Sequence, residues 1–329
     1  MPALPAPPPG HRPRPRRHPG ARPTEAALKI RILGTAAGGG LPQWNCGCAG
    51  CTTARRTGAA RTQDCLAVSA DGAAWYLVNA SPDLRGQLLA APELAPAPGS
   101  RETPLRGALL TSAELDHTLG LLTLREAAAL TVHATLPVRY ALHAGFPVGP
   151  LLAPYTKARW HTLTPGQAVE LDGGLRAEPL ALGDKRPRYA ADLPGEGWEG
   201  RSDWVVGYRF TAAGSRSCAV YAPGLAAWTP AVEAAVTGAD VVILDGTFST
   251  DDELAGRTGG ARTSRGMGHL AVRDSLPHLA RLPGPRYLYT HLNNTNPLAH
   301  PGSPGTEAPA RDLAAAGAAV AEDGMLIEL

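Results

Sequence analysis

The 329-residue sequence lacks an excess of charge of either sign, because 31 Lys and Arg residues stand against 29 Asp and Glu residues. The resulting net charge of +2 argues against a dedicated nucleic-acid-binding protein, which normally carries a basic excess or stripe. Long apolar runs are also missing, since stretches such as Ala108–Leu110 and Val241–Leu244 are far too short to span a membrane. We therefore expect a protein that neither binds nucleic acid nor crosses a membrane.

The N-terminal segment lacks the apolar core that a secretory signal requires. Residues 1–26 contain nine prolines and five arginines, a composition that predicts a disordered arm without a required role. Without the five arginines and Glu25 of this arm, the net charge becomes −2. The sequence is 44% hydrophobic and 18% charged, which is enough apolar material for a sizeable core. We expect residues 27–329 to form a single domain that works in the cytoplasm.

Local patterns predict a protein of mixed helices and strands. Short apolar or alternating runs predict strands at 28–34, 106–111, 205–210, 218–221, 239–244 and 286–290. Helices are predicted to start at 79–83 and to span 230–236 and 269–280. The charged, glycine-rich stretch 183–200 is predicted to be a loop that covers a site.

Two Asp-Gly pairs predict turns between strands. Asp71-Gly72 separates the apolar runs 66–70 and 74–79, and Asp323-Gly324 separates 318–322 from 325–329. The first pair predicts a two-residue hairpin, and the second predicts a closing strand or hairpin. Hairpins with helices between them favour two mixed sheets covered by helices in one compact α/β unit, rather than a doubly wound parallel sheet.

Cysteine is scarce, but three of the five thiols lie within six residues, at Cys46, Cys48 and Cys51. This C-x-C-x₂-C spacing follows a glycine-rich turn and is typical of a zinc knuckle, because Zn²⁺ prefers thiolate ligands and glycines let the backbone curl around the ion. In a cytosolic chain the cluster favours metal over disulfides. Three thiolates leave the fourth ligand to come from elsewhere. Cys65 and Cys218 lie in apolar strands and are predicted to be packing residues.

A second group of residues is rich in carboxylates and imidazoles. Four segments each end an apolar strand or turn with an acid or a histidine, and strand ends are where α/β proteins hold ligands. Singly, each residue is explained as a cap or turn residue, but their recurrence at strand ends favours a site for Zn²⁺, Fe²⁺ or Mn²⁺. The residues are Asp116 with His117, Asp245, His269 and His291. Packing or surface positions are predicted for His133, His143, His161, His278 and His300.

Longer segments resemble the pyrroloquinoline quinone (PQQ) biosynthesis protein B family, which belongs to the metallo-β-lactamase superfamily. The resemblance runs from about residue 28 to the C-terminus and leaves out the N-terminal arm. It implies a four-layer αββα sandwich with two mixed sheets and with metal at the sheet edges. The segments that carry it are 32–40 and Pro42-Gln43-Trp44-Asn45-Cys46, followed by 79–85, 114–121, 267–269 and 291–297.

The first metal motif of the superfamily, H-x-H-x-D-H, is replaced here by Ser112-x-Glu114-x-Asp116-His117. Loss of the first two histidines weakens the usual first metal position, so the resemblance implies a mononuclear centre rather than a dinuclear one. Its ligands would be Asp116, His117 and His291, with Asp245 as a further ligand or a supporting acid. In related phosphodiesterases with the same knuckle, a histidine three residues after the last active-site histidine completes the zinc site. That position is Asn294 here.

The family resemblance also implies a step in making PQQ, which derives from a glutamate and a tyrosine of a small precursor peptide. Because the tyrosine ring must gain oxygen, we expect Fe²⁺- and O₂-dependent hydroxylation of a Glu–Tyr-derived precursor, with other PQQ biosynthesis proteins as partners. Two histidines and one carboxylate leave positions on iron open for O₂ and substrate. His269 is expected to transfer protons or to serve as a ligand. Glu114 and Ser112 are expected to anchor the substrate amine or to donate hydrogen bonds at the metal.

Two other functions stay open from the sequence. One is a metal-dependent hydrolase of an ester or phosphodiester, in which a metal-bound hydroxide attacks the substrate. The missing histidines count against it. The other is a soluble carrier that helps to move PQQ or its precursor towards the periplasm, although no apolar segment supports transport itself.

Overall fold

The structure is a computed structural model that describes residues 28–194, 198, 200–255, 262–302 and 305–329. The arm expected over residues 1–26 lies outside these residues. In chain order the strands are β1 Lys29–Gly34, β2 Cys65–Ser69, β3 Trp75–Val78, β4 Leu105–Leu109, β5 Ala129–Thr135, β6 Lys157–Leu163, β7 Val169–Glu170, β8 Leu175–Gly183, β9 Val205–Ala212, β10 Cys218–Ala222, β11 Val241–Asp245, β12 Arg286–Thr290, β13 Ala318–Val320 and β14 Leu326–Glu328.

The helices are short, and none in the described residues is long and apolar enough to cross a membrane. The α-helices are α1 Ala49–Thr57, α2 Leu84–Ala90, α3 Leu115–Thr118, α4 Leu136–Tyr140, α5 Val148–Leu152, α6 Pro230–Val236, α7 Val272–Arg281 and α8 Glu307–Ala315. Short segments of 3₁₀ or π helix lie at Pro92–Leu94, Leu119–Glu126, Ala141–Gly145, Asp172–Gly174, Arg188–Ala190, Arg265–Met267 and Pro297–Ala299.

The strands form two seven-stranded sheets, and each sheet is parallel in one half and antiparallel in the other. The first has the order β14-β1-β2-β3-β4-β5-β6, antiparallel from β14 to β3 and parallel from β3 to β6. The second has the order β13-β12-β11-β10-β9-β8-β7, parallel from β13 to β10 and antiparallel from β10 to β7. The prediction of two mixed sheets is confirmed.

Three apolar clusters give the molecule its layers. The middle cluster joins the inner faces of the two sheets, through residues such as Ile30 and Val68 on one side and Phe210 and Ile243 on the other. The other two pack the outer faces against helices, with Leu84 of α2 in one of them and other helical residues in both. The αββα sandwich is therefore the arrangement in which every apolar face is covered.

The two-residue turn predicted at Asp71-Gly72 is wrong, and of the two alternatives at Asp323-Gly324 the structure has the closing strand and not the hairpin. The loop around Asp71 has five residues, 70–74, because the Asp71 carboxylate accepts the N–H groups of Ala73 and Ala74, both at 2.8 Å, and widens the turn. The C-terminal strands do not form a hairpin, since β13 pairs with β12 in the second sheet and β14 pairs with β1 in the first. The chain changes sheets at the Asp323-Gly324 turn.

Candidate active site

Asp116, His117 and His291 form a compact cluster where β4 and β12 end. Asp116 Oδ2 lies 3.9 Å from His117 Nε2 and 3.5 Å from His291 Nε2. Both Nε2 atoms are buried and have no hydrogen-bond partner among the described residues. Since a buried polar atom without a partner costs free energy, two such atoms beside one carboxylate are typical of a site that binds a cation. The donor atoms of the three residues all lie within 4.8 Å of one another, which fits a single metal ion.

Polar residues at the end of β4 orient the His117 ring. The Ser112 hydroxyl lies 2.8 Å from His117 Nδ1, and the Thr111 hydroxyl lies 3.3 Å from it. Thr111 in turn donates to Asn79 Oδ1 through both its backbone N–H and its hydroxyl. Ser112 thus contacts the nitrogen of His117 that faces away from Asp116. Its position suits fixing the ring rather than contacting a substrate.

The backbone at this site is strained. Asn79 and His291 are the non-glycine residues with positive φ in the described chain, at 67° and 57°. Such angles cost about 1–3 kcal/mol each and persist where the surroundings hold them in place. At His291 the left-handed turn directly after β12 places the ring between two groups of polar residues.

The second group contains Asp245, His269 and the other edge of His291. Asp245 Oδ2 lies 2.6 Å from His269 Nδ1, and the two imidazole rings stack with their centroids 5.6 Å apart. The Thr247 hydroxyl lies at the centre, 2.6 Å from Asp245 Oδ1, 2.8 Å from His291 Nδ1 and 3.1 Å from His269 Nδ1. The expected ligands therefore fall into two groups that share His291, and Asp245 lies with His269 rather than with Asp116 and His117.

Electrostatics set the charge of the Asp116 cluster. Burial lowers the pKa of His117 to about 4, against the opposing attraction of Asp116. Burial also opposes ionisation of Asp116, but the two neighbouring histidines lower its pKa below the usual range. For His291, burial lowers the pKa, while Asp116 and then Asp64 outweigh it and raise the pKa to about 9. Asp116 and His117 therefore have the protonation states that metal ligation requires, whereas the raised pKa of His291 favours its protonated ring, which must lose a proton to ligate.

A buried carboxyl group that the sequence does not predict lies beneath His291. Asp64 accepts hydrogen bonds from Thr290 Oγ1, at 2.6 Å, and from the Tyr221 hydroxyl. Burial raises its pKa to about 6. Its only sequence signal is an acid directly before an apolar strand. Through Thr290 it anchors the backbone next to His291.

Less buried residues border the cluster. Glu114, which was expected to contact substrate, forms an ion pair with Lys185 at 3.5 Å. The Tyr189 hydroxyl donates to the Ala113 carbonyl at 2.6 Å, so the described part of the predicted loop 183–200 lies against the segment that carries the site. On another side, a Cβ added to Gly38 would lie 3.2 Å from Asp116 Oδ2. The glycine-rich turn therefore gives Asp116 its space.

The cysteine cluster is a separate site. Cys48 is the N-cap of α1 and accepts the Cys51 N–H at 3.5 Å, and the three Sγ atoms lie within 4.8 Å of one another. Asn294 Nδ2 lies 3.2 Å from Cys46 Sγ and 3.4 Å from Cys51 Sγ, so the residue expected as the fourth ligand is beside the thiols. A backbone hydrogen bond from Cys48 lowers the pKa of the Cys46 thiol, whereas burial raises the pKa of the Cys51 thiol.

Two histidines that were predicted to occupy packing or surface positions make specific contacts in the structure. His300, assigned to a proline-rich loop, lies at the knuckle: its Nε2 is 2.7 Å from the Asn294 carbonyl, and its ring fills the space that a Cβ on Gly50 would need. No local pattern signals this contact. His133 is buried and stacks on His161 with centroids 5.1 Å apart, away from both sites.

Comparison with known proteins decides the family. A family model described as a beta-lactamase superfamily domain matches residues 74–292. Coenzyme PQQ synthesis protein B of Azoarcus sp. strain BH72 is 40% identical over 316 residues, covering 92% of this chain and all of its own. The protein of the same name from Cupriavidus necator is 40% identical over 311 residues, covering 91% of this chain and 99% of its own. The chain belongs to the coenzyme PQQ synthesis protein B family.

Solved structures agree with this assignment. The crystal structure of Zn²⁺-bound PqqB from Methylobacterium extorquens is 33% identical, with a TM-score of 0.80 over 92% of this chain and all of that one. A diphosphatase of the PhnP family has a TM-score of 0.64 at 20% identity, over 92% of this chain and 97% of its own, and shares the fold alone. Membership of the PQQ synthesis protein B family connects the chain to PQQ biosynthesis. Its metallo-β-lactamase fold is that of metal-dependent enzymes.

Proposed function

We propose that the chain hydroxylates the tyrosine ring of a Glu–Tyr-derived precursor of PQQ in a reaction that depends on Fe²⁺ and O₂. The observation that carries the proposal is the pair of buried Nε2 atoms, on His117 and His291, that face the Asp116 carboxylate and have no hydrogen-bond partner among the described residues. Two imidazoles and one carboxylate with open positions are the donor set of non-haem Fe(II) oxygenases. Ser112 and Glu114 stand where the superfamily motif has two metal-binding histidines. This replacement favours one metal ion over two.

In this proposal Asp116, His117 and His291 hold the metal, and the bound iron supplies the activation of O₂. Ser112 and Thr247 fix the two imidazole rings by hydrogen bonds to their Nδ1 atoms, which directs Nε2 to the metal. The His117 and His291 side chains are each only 6% exposed, and that of Asp116 is 19% exposed. His291 would hold the metal through its neutral ring, since only the unprotonated imidazole ligates.

His269 and Asp245 are proposed to handle protons. Their contact, 2.6 Å between His269 Nδ1 and Asp245 Oδ2, holds the Nδ1 proton of the ring against the carboxylate. The other ring nitrogen, Nε2, is then the atom that can accept a proton as the aromatic C–H bond is replaced. This pairing supports His269 as a proton-transfer residue rather than a further metal ligand.

The overall reaction fixes the conditions of the test. An aryl C–H becomes C–OH with one oxygen atom of O₂, and the other leaves as water after taking up two electrons and two protons. A reductant is therefore required, and ascorbate can serve in the assay. We further place the reaction in the cytoplasm, where the clustered thiols stay reduced, and among other PQQ biosynthesis proteins.

The experiment reconstitutes the metal-free protein with Fe²⁺ under anaerobic conditions, adds the Glu–Tyr dipeptide and ascorbate, and then admits O₂. We expect O₂ uptake and a product heavier by one oxygen atom. Asp116→Ala should abolish both, whereas His278→Ala, a surface histidine stacked on Trp228, should retain them. Protein loaded with Zn²⁺ should consume no O₂, because zinc has no redox chemistry.

Two results would replace the proposal. Ester or phosphodiester cleavage by the Zn²⁺ form, without O₂ uptake by the Fe²⁺ form, would make the chain a hydrolase. Tight binding of PQQ that survives His117→Ala, with no turnover by either form, would make it a carrier.

We also propose that Cys46, Cys48, Cys51 and Asn294 hold a structural Zn²⁺. The support is the closeness of three thiols and the amide, whose oxygen would face the ion if the side chain is turned by half a rotation. A closed site of this kind stabilises a loop that has little core of its own. Replacing Asn294 by alanine should lower zinc content, measured by elemental analysis of the purified protein.

A further inference from the structure

A partly exposed ion pair lies beside the Asp116 cluster, with its acid, Glu114, two residues before Asp116 in the chain. Lys185 Nζ is 3.5 Å from Glu114 Oε1, and both side chains are about one-third exposed, at 38% and 31%. The stem of Lys185 runs over Gly268, where an added Cβ would come within 2.9 Å of Lys185 Cδ. Lys185 therefore spans from the turn that precedes His269 to the residue that precedes α3.

The backbone around Lys185 is held in place on both sides. Four residues further on, the Tyr189 hydroxyl donates to the Ala113 carbonyl, and its ring packs edge-on against Phe146 at 6.0 Å. The Arg186 guanidinium lies 5.4 Å from the centroid of the Trp204 ring. These contacts fix the backbone from which Lys185 extends. Its ammonium group stays partly exposed, beside Glu114.

The charges on the pair are available to a ligand. An exposed ion pair contributes little to stability, so opening it costs little. The neighbouring Ser112 hydroxyl already contacts His117 Nδ1 and the Glu114 N–H. Of the two residues expected to anchor a substrate amine, the Glu114 carboxylate is therefore the one that can do so. A ligand with both an ammonium and a carboxylate group would exchange one weak pair for two charge-assisted hydrogen bonds.

We propose that Lys185 binds the C-terminal carboxylate of the substrate while Glu114 binds its ammonium group, so that the site selects a zwitterionic amino acid or peptide. The inference rests on the proposed function, which identifies the tyrosine ring as the part of the substrate that is oxidised. It adds the residues that recognise the rest of the substrate. A phenol without these charged groups would reach the metal without being held.

The test measures binding by calorimetry to protein loaded with Zn²⁺, which holds the site without turnover. The probes are the Glu–Tyr dipeptide and Glu–tyramine, which lacks the C-terminal carboxylate. Lys185→Met keeps the apolar stem over Gly268 and removes the charge. We expect its Kd for Glu–Tyr to rise about tenfold or more, and its Kd for Glu–tyramine to change less than about twofold. Lys185→Arg should restore most of the affinity.

A matched control is Arg188→Ala, which removes a positive charge from an exposed residue of the same segment and should change neither Kd. For the other charge, Glu114→Gln should weaken Glu–Tyr but not its N-acetyl form. Equal weakening of both peptides by Lys185→Met, or no weakening of either, would overturn the proposal. Absence of Glu–Tyr binding to the wild-type protein would overturn it together with the substrate assignment. If binding depended on these charges but the protein never consumed O₂, the proposal for Lys185 and Glu114 would stand and the hydroxylase function would be refuted.

Discussion

Replacing Thr247 by valine should disturb both groups of site residues, although the two side chains have nearly the same shape. The threonine hydroxyl contacts Asp245 Oδ1 at 2.6 Å, His291 Nδ1 at 2.8 Å and His269 Nδ1 at 3.1 Å. Without it, Asp245 keeps the Thr247 N–H at 2.9 Å and His269 keeps Asp245. His291 Nδ1 loses the one hydrogen-bond partner that the described residues provide.

The size of the effect follows from that loss. Leaving one buried polar atom without a partner costs about 1–3 kcal/mol, and hydrogen bonds to charged groups lie at the upper end. We therefore expect the free energy of unfolding of the metal-free protein to fall by about 2–3 kcal/mol. Metal affinity should fall by roughly 10- to 100-fold, because the His291 ring is no longer oriented from its Nδ1 side.

Guanidinium unfolding followed by tryptophan fluorescence measures the first quantity, and competition with a chelator measures the second. The matched control is Thr237→Val, since this threonine is exposed and its hydroxyl donates only to the Glu233 carbonyl at 2.8 Å. It should change stability by no more than about 0.5 kcal/mol and leave metal affinity unaltered. If Thr247→Val behaved like this control in both assays, the hydroxyl would not organise the site.

Three further predictions concern other parts of the molecule. Cys48→Ser should lose one equivalent of zinc in elemental analysis, whereas Cys218→Ala, at a buried thiol outside the cluster, should keep it. Burial lowers the pKa of His133 to about 4, so the unfolded chain binds more protons than the folded one below about pH 6.5. Stability should fall as pH drops from about 6.5 to 4, and His133→Leu should flatten that fall in urea titrations. Gly38→Val should lower metal affinity in chelator competition, more than Gly38→Ala does, because its side chain would press on Asp116.

Much of the fold can be predicted because its strands are short apolar runs. The strands at 205–212, 218–222, 241–245 and 286–290 and the helix Pro230–Val236 all follow from local patterns. Pairing is a different matter, since it depends on partners far away in the chain. The last two strands read locally as a hairpin, yet each completes the edge of a different sheet.

The candidate site divides in the same way. Acids and histidines at strand ends can be found from the sequence, since the carboxyl ends of neighbouring parallel strands meet. Residues that act through contacts across the fold cannot. Thr247 follows Asp245 by two positions and looks like a turn residue, and Asp64 looks like a strand boundary. Lys185 and His300 lie in loops whose positions depend on packing alone.

Strand β1 obtains its two neighbours at very different times during synthesis. It pairs with β2 soon after both are made, but its other edge waits for β14, in the register that joins Lys29 to Glu328. Just before β14, the Asp323 carboxylate accepts hydrogen bonds from Thr35 and Thr62, which fix the start of the glycine-rich turn beside the metal cluster. Until residues 323–328 have been translated, the first sheet has an open edge that can pair with another chain. Assembly of the metal cluster is thereby linked to the synthesis of residues 323–328, almost 300 residues after β1 in the chain.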